Sequence, residues 1–247
     1  MAQRTPRIIS SPKRLDNRTA LITGATRGIG LAIARGLARE GCALILTARD
    51  ESALAKVSRE LHRTKILARP CDVRDPHSVD DLFRSVRQKF GNLDILVNNA
   101  GIAHANLPVD QLPYPVWKDV FAANLDGTFL ITQAALGLMK RGSTIVNNLS
   151  IAATRVFPGS AAYNASKHAA LGLTNTLREE LRPKGIRVIG LLPGATDTDI
   201  WKTLWPQAPR KKMMSADTVA RIVIEAILLP PDATVENLEI LPTTGTL

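Results

Sequence analysis

The sequence predicts one three-layer α/β domain, in which a doubly wound, mostly parallel sheet of seven strands carries helices on both faces. Short apolar runs alternate with longer segments of helical periodicity along nearly the whole chain, a pattern typical of βαβ units. The chain has 247 residues, 45% of them hydrophobic, which is enough to bury one large core. The expected division is a basic, flexible tail over residues 1–17 and a single domain over residues 18–247.

Each element follows from its own residue pattern. Apolar runs predict strands at residues 19–23, 43–47, 65–68, 93–97, 143–149, 187–192 and 237–241. Apolar residues at helical spacing predict helices at residues 31–39, 51–62, 75–90, 113–140, 161–181 and 217–229. Asp50 is the expected N-cap of the second helix, Pro76 suits a first helical turn, and either Ser215 or Asp217 caps the last helix.

A glycine-rich turn connects the first strand to the first helix. Its glycines are spaced G-x-x-x-G-x-G, which permits a tight reversal and a close approach of the backbone to a phosphate. The free N–H groups and the dipole of the following helix favour negative charge. In this strand–helix context the turn predicts a dinucleotide phosphate site rather than a purely structural loop. The residues of that site are Gly24, Thr26, Arg27, Gly28, Ile29 and Gly30.

The end of the second strand indicates which dinucleotide the turn would hold. An NAD-binding chain usually has an acid about 20 residues beyond the glycines, where it binds the ribose 2′-hydroxyl. Here Ala48 occupies that place and Arg49 follows it, while Arg27 lies in the glycine turn. Two guanidinium groups can bind a ribose 2′-phosphate, so NADP(H) is the preferred cofactor and NAD(H) the alternative. If both arginines are only solvated surface charges, this preference is lost.

Tyr163 and Lys167 are four residues apart in a predicted helix, which puts their side chains on one face. An ammonium beside a phenol is expected to lower the pKa of the phenol toward the range that acid–base catalysis needs. Ser150 follows the fifth strand and could hydrogen-bond the same substrate oxygen. Alone, such a Tyr–Lys pair is usually a surface feature. The glycine turn and the motifs below favour a catalytic pair.

Six motifs in register make the chain resemble the short-chain dehydrogenase/reductase family, over residues 17–241. Residues 23–30 match the TGxxxGxG turn, residues 98–101 the NNAG motif, and Ser150 with Tyr163 and Lys167 the Ser…YxxxK constellation. The other three matches are the adenine-contacting loop at residues 71–73, the catalytic-helix asparagine Asn124 and the PGxxxT stretch at residues 193–198.

The resemblance implies a Rossmann-type fold and an oxidoreductase that interconverts a carbonyl and an alcohol by hydride transfer. It implies that Tyr163 is the general acid or base, that Lys167 also binds the nicotinamide ribose, and that Asn124 holds a water linking Lys167 to solvent. It adds further residues to the cofactor site, with Asp72 directed toward the adenine amine: Asp72, Val73, Asn99, Ala100, Gly101, Pro193, Gly194, Thr196 and Thr198. A homodimer or homotetramer is expected, with the helices that begin near Pro113 and Ala161 in the interface.

Two regions depart from the family pattern. Residues 237–245 lack the usual glycine-rich end and resemble the tail of some serine and 3-hydroxy acid dehydrogenases, which weakens the alternative of a 3-oxoacyl-[acyl-carrier-protein] reductase. Asn147-Asn148-Leu149 precedes Ser150, where a second serine is frequent, and no function is attached to this difference. A non-catalytic dinucleotide-sensing module is the alternative from another class, but a sensor would need only the cofactor half of these motifs.

Residues 198–215 contain Pro206 and Pro209 and predict an irregular substrate lid. Its apolar residues would form a roof over the substrate, with Phe157 as a wall; the alternative is that they pack between subunits. The roof residues are Trp201, Leu204, Trp205, Met213 and Met214.

Composition limits the other classes of function. The net charge of +10 is concentrated partly in the first 18 residues and in the lid, without a recognised nucleic-acid motif, so specific nucleic-acid binding is not expected. No apolar run approaches the roughly 20 residues of a membrane span, and the four histidines show no metal-ligand spacing. Cys42 and Cys71 are predicted at opposite edges of the sheet and therefore unpaired, which fits a cytoplasmic protein. The expected partner is a small carbonyl or alcohol substrate.

Overall fold

Seven parallel strands form the middle layer of the protein, whose computed structural model describes residues 13–246. The strand order is β3-β2-β1-β4-β5-β6-β7, and all six neighbouring pairs are parallel. The strands are β1 (Thr19–Thr23), β2 (Ala43–Ala48), β3 (Ile66–Pro70), β4 (Ile95–Asn98), β5 (Thr144–Asn148), β6 (Arg187–Pro193) and β7 (Asn237–Ile240). The prediction of a doubly wound parallel sheet is confirmed.

Helices cover both faces of this sheet. They are α1 (Gly28–Arg39), α2 (Glu51–Glu60), α3 (Pro76–Lys89), α4 (Tyr114–Phe121), α5 (Gly127–Leu136), α6 (Ala161–Leu181), α7 (Trp201–Leu204) and α8 (Ala216–Ile227). One hydrophobic cluster joins α1, α2 and α8 to the sheet, and a second joins α3, α5 and α6 to its other face. Within residues 13–246, no helix combines the length and apolar character needed to cross a membrane.

The helix starts agree with the predicted caps. The Asp50 carboxylate accepts from the Ala53 backbone N–H at 3.0 Å, and Asp75 accepts from the N–H of His77 at 3.0 Å with Pro76 in the first turn. For α8 the cap is Ser215, whose hydroxyl accepts from the Thr218 N–H at 3.0 Å. The alternative cap, Asp217, lies instead in the first turn of that helix.

The predicted helix over residues 113–140 is wrong as a single element. It is divided into α4 and α5 by a π-helical segment, Ala122–Asp126, with Asn124 at its centre. The Asn124 side chain bonds the backbone of Ile102 and the hydroxyl of Ser166, and a wider turn accommodates these bonds. The periodicity of apolar residues runs through such a turn and does not reveal it.

The predicted tail covers residues 1–17. Of these, residues 1–12 lie outside the described part of the chain, and the residues that follow them contact the folded domain. Leu15 is buried in the hydrophobic cluster that contains α1 and α8, and its backbone N–H donates to the Glu40 carbonyl at 2.9 Å. Arg14 forms ion pairs with Glu40 at 2.8 Å and with Glu225 at 3.1 Å. The folded domain therefore begins before residue 18.

Both cysteines are free, as predicted, and both are buried. Cys42 directly precedes β2, and Cys71 directly follows β3. Burial raises the pKa of the Cys42 thiol to about 12 and raises that of Cys71 in the same direction. Because the thiolate is the reactive form, both groups are inert near neutral pH.

We expect Leu15→Ala to destabilise the protein by about 2–3 kcal/mol, because it removes buried apolar surface and leaves a cavity. Arg14→Ala is the control: it removes ion pairs of a half-exposed side chain, which solvent screens, and should destabilise the protein much less than Leu15→Ala does. Chemical denaturation followed by circular dichroism measures both. Equal stability of Leu15→Ala and the unaltered protein would mean that residues 13–17 do not belong to the folded domain.

Candidate active site

A cleft of about 1360 Å³ opens where the strands of the sheet end. It crosses the point between β1 and β4 from which the strand order runs in opposite directions, the usual place for a ligand in a doubly wound sheet. Every catalytic and cofactor-binding residue that the sequence predicts lines this cleft, except Gly30 and Asn124. Residues from the glycine turn, from the NNAG motif, from β5, α6 and the lid are therefore brought together in one cavity.

The glycine turn leaves the start of α1 open toward the cleft. No side chain caps this helix, and its first turn contains no acidic residue. Gly24 and Gly28 have φ angles of +63° and +55°, which side-chain-bearing residues rarely adopt. At Gly28 an added Cβ would also lie 3.1 Å from the Thr198 methyl group. Uncapped backbone N–H groups at a helix start, reached without side-chain obstruction, fit a pyrophosphate.

Gly30 does not line the cleft, and the side chain of Asn99 occupies the space where a side chain at residue 30 would lie. A Cβ on Gly30 would overlap the Asn99 amide nitrogen. That nitrogen donates to the backbone carbonyls of Thr23 at 3.0 Å and Gly24 at 3.1 Å. The Thr23 hydroxyl in turn accepts from the backbone N–H groups of Asn99 and Ala100, both at 2.9 Å. Through these hydrogen bonds Asn99 holds the glycine turn in its conformation.

Tyr163 and Lys167 extend from one face of α6 into the cleft, one helical turn apart. The Lys167 Nζ atom lies 5.7 Å from the centroid of the Tyr163 ring and donates to the Asn148 carbonyl at 2.9 Å. Lys167 is 7% exposed, and this burial lowers the pKa of its ammonium to about 8. The group is still mainly protonated at neutral pH and retains two N–H donors for a ligand.

The pKa of Tyr163 differs in direction from the sequence-based expectation. Burial raises the pKa of the phenol, and the neighbouring Ser150 hydroxyl opposes the rise. The expected lowering by Lys167 does not prevail, because removal of the phenolate from water is the larger effect. Tyr163 is consequently a protonated phenol at neutral pH, the form that can donate a proton.

Ser150 follows β5 and begins a short turn, Ile151–Ala153. Its hydroxyl oxygen accepts from the Ala152 backbone N–H at 3.1 Å. The hydroxyl hydrogen remains free to donate to an oxygen atom in the cleft. Ser150 and Tyr163 can therefore both bond to one carbonyl or alcohol oxygen.

Asn124 is 2% exposed and lies outside the lining of the cleft. Its amide bonds both backbone groups of Ile102, accepting at 2.8 Å and donating at 3.0 Å, and also donates to the Ser166 hydroxyl at 3.0 Å. These contacts tie the π-helical segment to α6 and to the loop after β4. The amide of Asn124 is therefore engaged within the protein.

Two arginines lie at the end of the cleft next to β2. Arg49 is exposed and pairs with no acidic side chain among the described residues. Arg27 is 74% exposed, and its nearest acid is Asp199 of the lid at 3.7 Å. The carboxylate of Asp50, the acid nearest the expected position, is engaged in capping α2. This end of the cleft therefore offers two guanidinium groups.

Asp72 has a partner that the sequence analysis did not identify. Its carboxylate forms bidentate bonds with Arg74 at 2.6 to 3.1 Å, and Arg74 holds the pKa of that carboxyl below its usual range. Arg74 also lies 3.6 Å from Asp119 of α4 and lines the cleft. The spacing Asp-x-Arg was the available signal for this pair.

The lid is more regular than predicted, because α7 and a short turn at Arg210–Lys212 lie within residues 198–215. Trp201 donates its indole N–H to the Thr196 carbonyl at 2.9 Å, and its ring centroid lies 6.5 Å from that of Trp205. Arg210 anchors the lid base through Asp197 at 2.6 Å and the Thr198 carbonyl at 2.7 Å.

Only part of the predicted roof lines the cleft. Trp201, Leu204 and Trp205 do so, as does Phe157. Met213 and Met214 do not; Met214 pairs with Thr196 in a short bridge and packs against the core. No local pattern in the sequence indicates this pairing of Met214 with Thr196.

Comparisons with known proteins identify relatives of the chain. A family model described as short chain dehydrogenase matches residues 18–209. A 3beta-hydroxysteroid dehydrogenase of Mediterraneibacter gnavus is 39% identical over 190 residues, which are 76% of this chain and 69% of that protein.

Solved structures of dehydrogenases and reductases also resemble this chain. An alcohol dehydrogenase from Thermococcus sibiricus, complexed with 5-hydroxy-NADP, superimposes with a TM-score of 0.86 at 32% identity and covers 92% of this chain and 97% of its own. A 3-ketoacyl-(acyl-carrier-protein) reductase from Brucella melitensis, complexed with NADH, has a TM-score of 0.83 at 29% identity and covers 93% and 98%.

The buried ammonium of Lys167 should make stability depend on pH. Its folded pKa of about 8 lies below the ordinary value of 10.5, so the unfolded chain binds more protons between these values and the free energy of unfolding rises with pH there. Lys167→Met removes the buried charge and should stabilise the protein at pH 7 by roughly 1–3 kcal/mol, with little gain above pH 10.

Urea denaturation of both proteins at the two pH values measures this difference. A difference that stays constant with pH would contradict the lowered pKa of Lys167.

Proposed function

The chain belongs to the short-chain dehydrogenase/reductase family, and from this we propose that it is an NADP(H)-dependent oxidoreductase that interconverts a carbonyl and a primary or secondary alcohol. One observation carries the proposal: Ser150, Tyr163 and Lys167 share a cleft with an uncapped glycine turn. A dinucleotide bound on that turn would extend toward the three polar side chains. The cleft volume of about 1360 Å³ leaves room for a substrate beside it.

Each side chain has a definite part in carbonyl reduction. NADPH, when bound, supplies the hydride that the carbonyl carbon receives. Tyr163 donates its phenolic proton to the carbonyl oxygen, and the raised pKa keeps that proton in place at neutral pH. Ser150 donates a hydrogen bond to the same oxygen and stabilises the negative charge that develops there. In the oxidation direction the same residues act in reverse.

Lys167 supports both parts of the site. Its ammonium lies beside Tyr163, where its positive charge stabilises a developing phenolate, and its remaining N–H groups can bind the nicotinamide ribose. Proton exchange with solvent would pass through a water on the Asn124 carbonyl. That carbonyl already accepts from the Thr128 hydroxyl at 3.0 Å, and a carbonyl oxygen can accept two hydrogen bonds.

The preference for NADP(H) is proposed from Arg27 and Arg49. Both line the cleft, Arg49 pairs with no acid among the described residues, and Ala48 occupies the place where an acid would repel a 2′-phosphate. The NADP-derivative complex of the Thermococcus sibiricus relative supports this preference, and the NADH complex of the Brucella melitensis relative supports NAD(H) as the alternative.

The substrate half of the cleft favours an apolar carbonyl compound. Phe157, Trp201, Leu204 and Trp205 line it, and the only basic lid residue there, Lys202, pairs with Asp199 at 2.6 Å. The steroid name of the Mediterraneibacter gnavus relative is consistent with a large apolar substrate. A carrier-protein thioester is the alternative substrate, in keeping with the Brucella melitensis relative.

We also propose that the enzyme is a homodimer or homotetramer that buries α4, α5 and α6. Large apolar side chains are exposed near this surface, with Phe129 of α5 45% and Tyr114 of α4 67% accessible. Light scattering of the purified protein measures the oligomeric state.

The proposed activity is tested by NADPH oxidation with a panel of aldehydes, ketones, β-keto esters and an acyl-carrier thioester. Turnover supports the proposed reaction and ranks the substrates. Tight NADPH binding without turnover over the whole panel would instead favour a dinucleotide sensor, and no binding of either dinucleotide would exclude the proposal.

Tyr163→Phe should retain NADPH binding and lose about 10²-fold or more in turnover, because the proton donor is absent. Tyr114→Phe is a matched control, since Tyr114 is the other of the two tyrosines, lies outside the cleft and loses only a hydroxyl group. Steady-state turnover and NADPH fluorescence titration measure the two effects. Normal turnover by Tyr163→Phe would exclude Tyr163 as the acid.

Ala48→Asp should reverse the cofactor preference, because a carboxylate at the end of β2 repels the 2′-phosphate and can bind a 2′-hydroxyl. Arg49→Ala should weaken NADPH binding about tenfold and leave NADH binding nearly unchanged. Arg63→Ala, an exposed arginine outside the cleft, is the control. Titration with both dinucleotides provides the measurement; equal loss of both with Arg49→Ala would contradict a 2′-phosphate contact.

A further inference from the structure

Asn147 and Asn148, the two asparagines at the end of β5, point to opposite faces of the sheet, as successive strand residues do. Asn147 is 1% exposed and bonds Asn98 and Thr174, both at 2.9 Å, beneath the cleft. Asn148 lines the cleft itself. Asn147 is therefore a buried structural residue, whereas Asn148 lies at the site.

Asn148 contacts both halves of the site. Its backbone carbonyl accepts from the Lys167 ammonium at 2.9 Å. Its side-chain amide donates to the Asn99 side-chain oxygen at 2.8 Å. Asn99 then donates to the carbonyls of Thr23 and Gly24 in the glycine turn. A continuous set of hydrogen bonds thus runs from Lys167 through Asn148 and Asn99 to the turn.

The bond between the two asparagines supports the orientation of the Asn99 side chain. An asparagine amide has donors only on its nitrogen, and Asn99 uses that nitrogen on the two backbone carbonyls. Its oxygen is then left as an acceptor, and the Asn148 amide donates to it at 2.8 Å. Without the Asn148 amide, the oxygen of Asn99 loses this partner and the contact that holds the glycine turn loses its support.

We propose that Asn148 is a positioning residue, which sets the distance between the proton-transfer side chains on α6 and the phosphate-binding turn. Its carbonyl positions Lys167, and its amide positions Asn99 and through it the turn. This role rests on the proposed function, because it concerns the spacing between a bound dinucleotide and Tyr163. A change in this spacing should reduce both cofactor affinity and hydride-transfer rate.

The test is Asn148→Leu, which keeps a similar side-chain size and removes the amide. We expect the Kd for NADPH to rise about tenfold and kcat at saturating NADPH to fall about tenfold, with little change in KM for the carbonyl substrate. Asn148→Asp should not restore activity, because it places an acceptor opposite the acceptor oxygen of Asn99.

Asn147→Leu is the matched control in the same strand. It removes buried hydrogen bonds, so its Tm should fall, while the NADPH Kd and the kcat of the folded enzyme should stay close to those of the unaltered protein. A double variant, Asn99→Leu with Asn148→Leu, should bind NADPH no more weakly than Asn99→Leu alone, because both changes break one chain of bonds.

Three outcomes separate the possibilities. NADPH affinity and kcat of Asn148→Leu equal to those of the unaltered protein would overturn the positioning role while leaving the proposed function intact. Independent, multiplicative losses in the double variant would also overturn it. If the unaltered protein bound no NADPH, the proposed function would be excluded and this inference with it.

Discussion

The parallel direction of all seven strands is the constraint on which the site depends. Each parallel strand must be followed by a crossover, so the loops that follow the strands all leave from one edge of the sheet. Gly24 after β1, Asn99 after β4, Ser150 after β5 and Gly194 after β6 reach the same cleft for this reason. Residues separated by up to 170 positions become neighbours at this edge, where hydrogen bonds such as those of Asn99 to the glycine turn hold their segments together.

Hydrogen bonds between polar side chains and backbone groups hold the loops around the cleft in place. Asn99 holds the carbonyls of the glycine turn, Asn124 holds the backbone of Ile102, and Lys167 is held by the carbonyl of Asn148. Buried polar side chains need such partners, because an unpaired donor or acceptor removed from water is costly. The same burial shifts the pKa values of the two ionisable groups in opposite directions: it lowers that of Lys167 and raises that of Tyr163. Burial thus favours the neutral form of each.

The predictions from sequence were correct where a local residue pattern determines the local structure. The apolar runs located all seven strands, with ends within a few residues of those found, and Asp50 was recognised as the cap of α2. It failed where distant residues decided the local conformation. The long helix is interrupted because Asn124 bonds Ile102, and residues 13–17 are folded because Leu15 enters the core. Neither partner can be read from the neighbouring sequence.

The sequence by itself determined the fold class, the order of the elements and the residue types of the site, since periodicity, glycine spacing and the i,i+4 placement of Tyr163 and Lys167 are local properties of the chain. Only the tertiary structure decided the protonation tendency of these groups, the pairing of Asp72 with Arg74, and the connection of Asn148 to Asn99. Those features depend on burial and on contacts between segments far apart in the chain. Desolvation and hydrogen-bond geometry exist only once these segments have packed together.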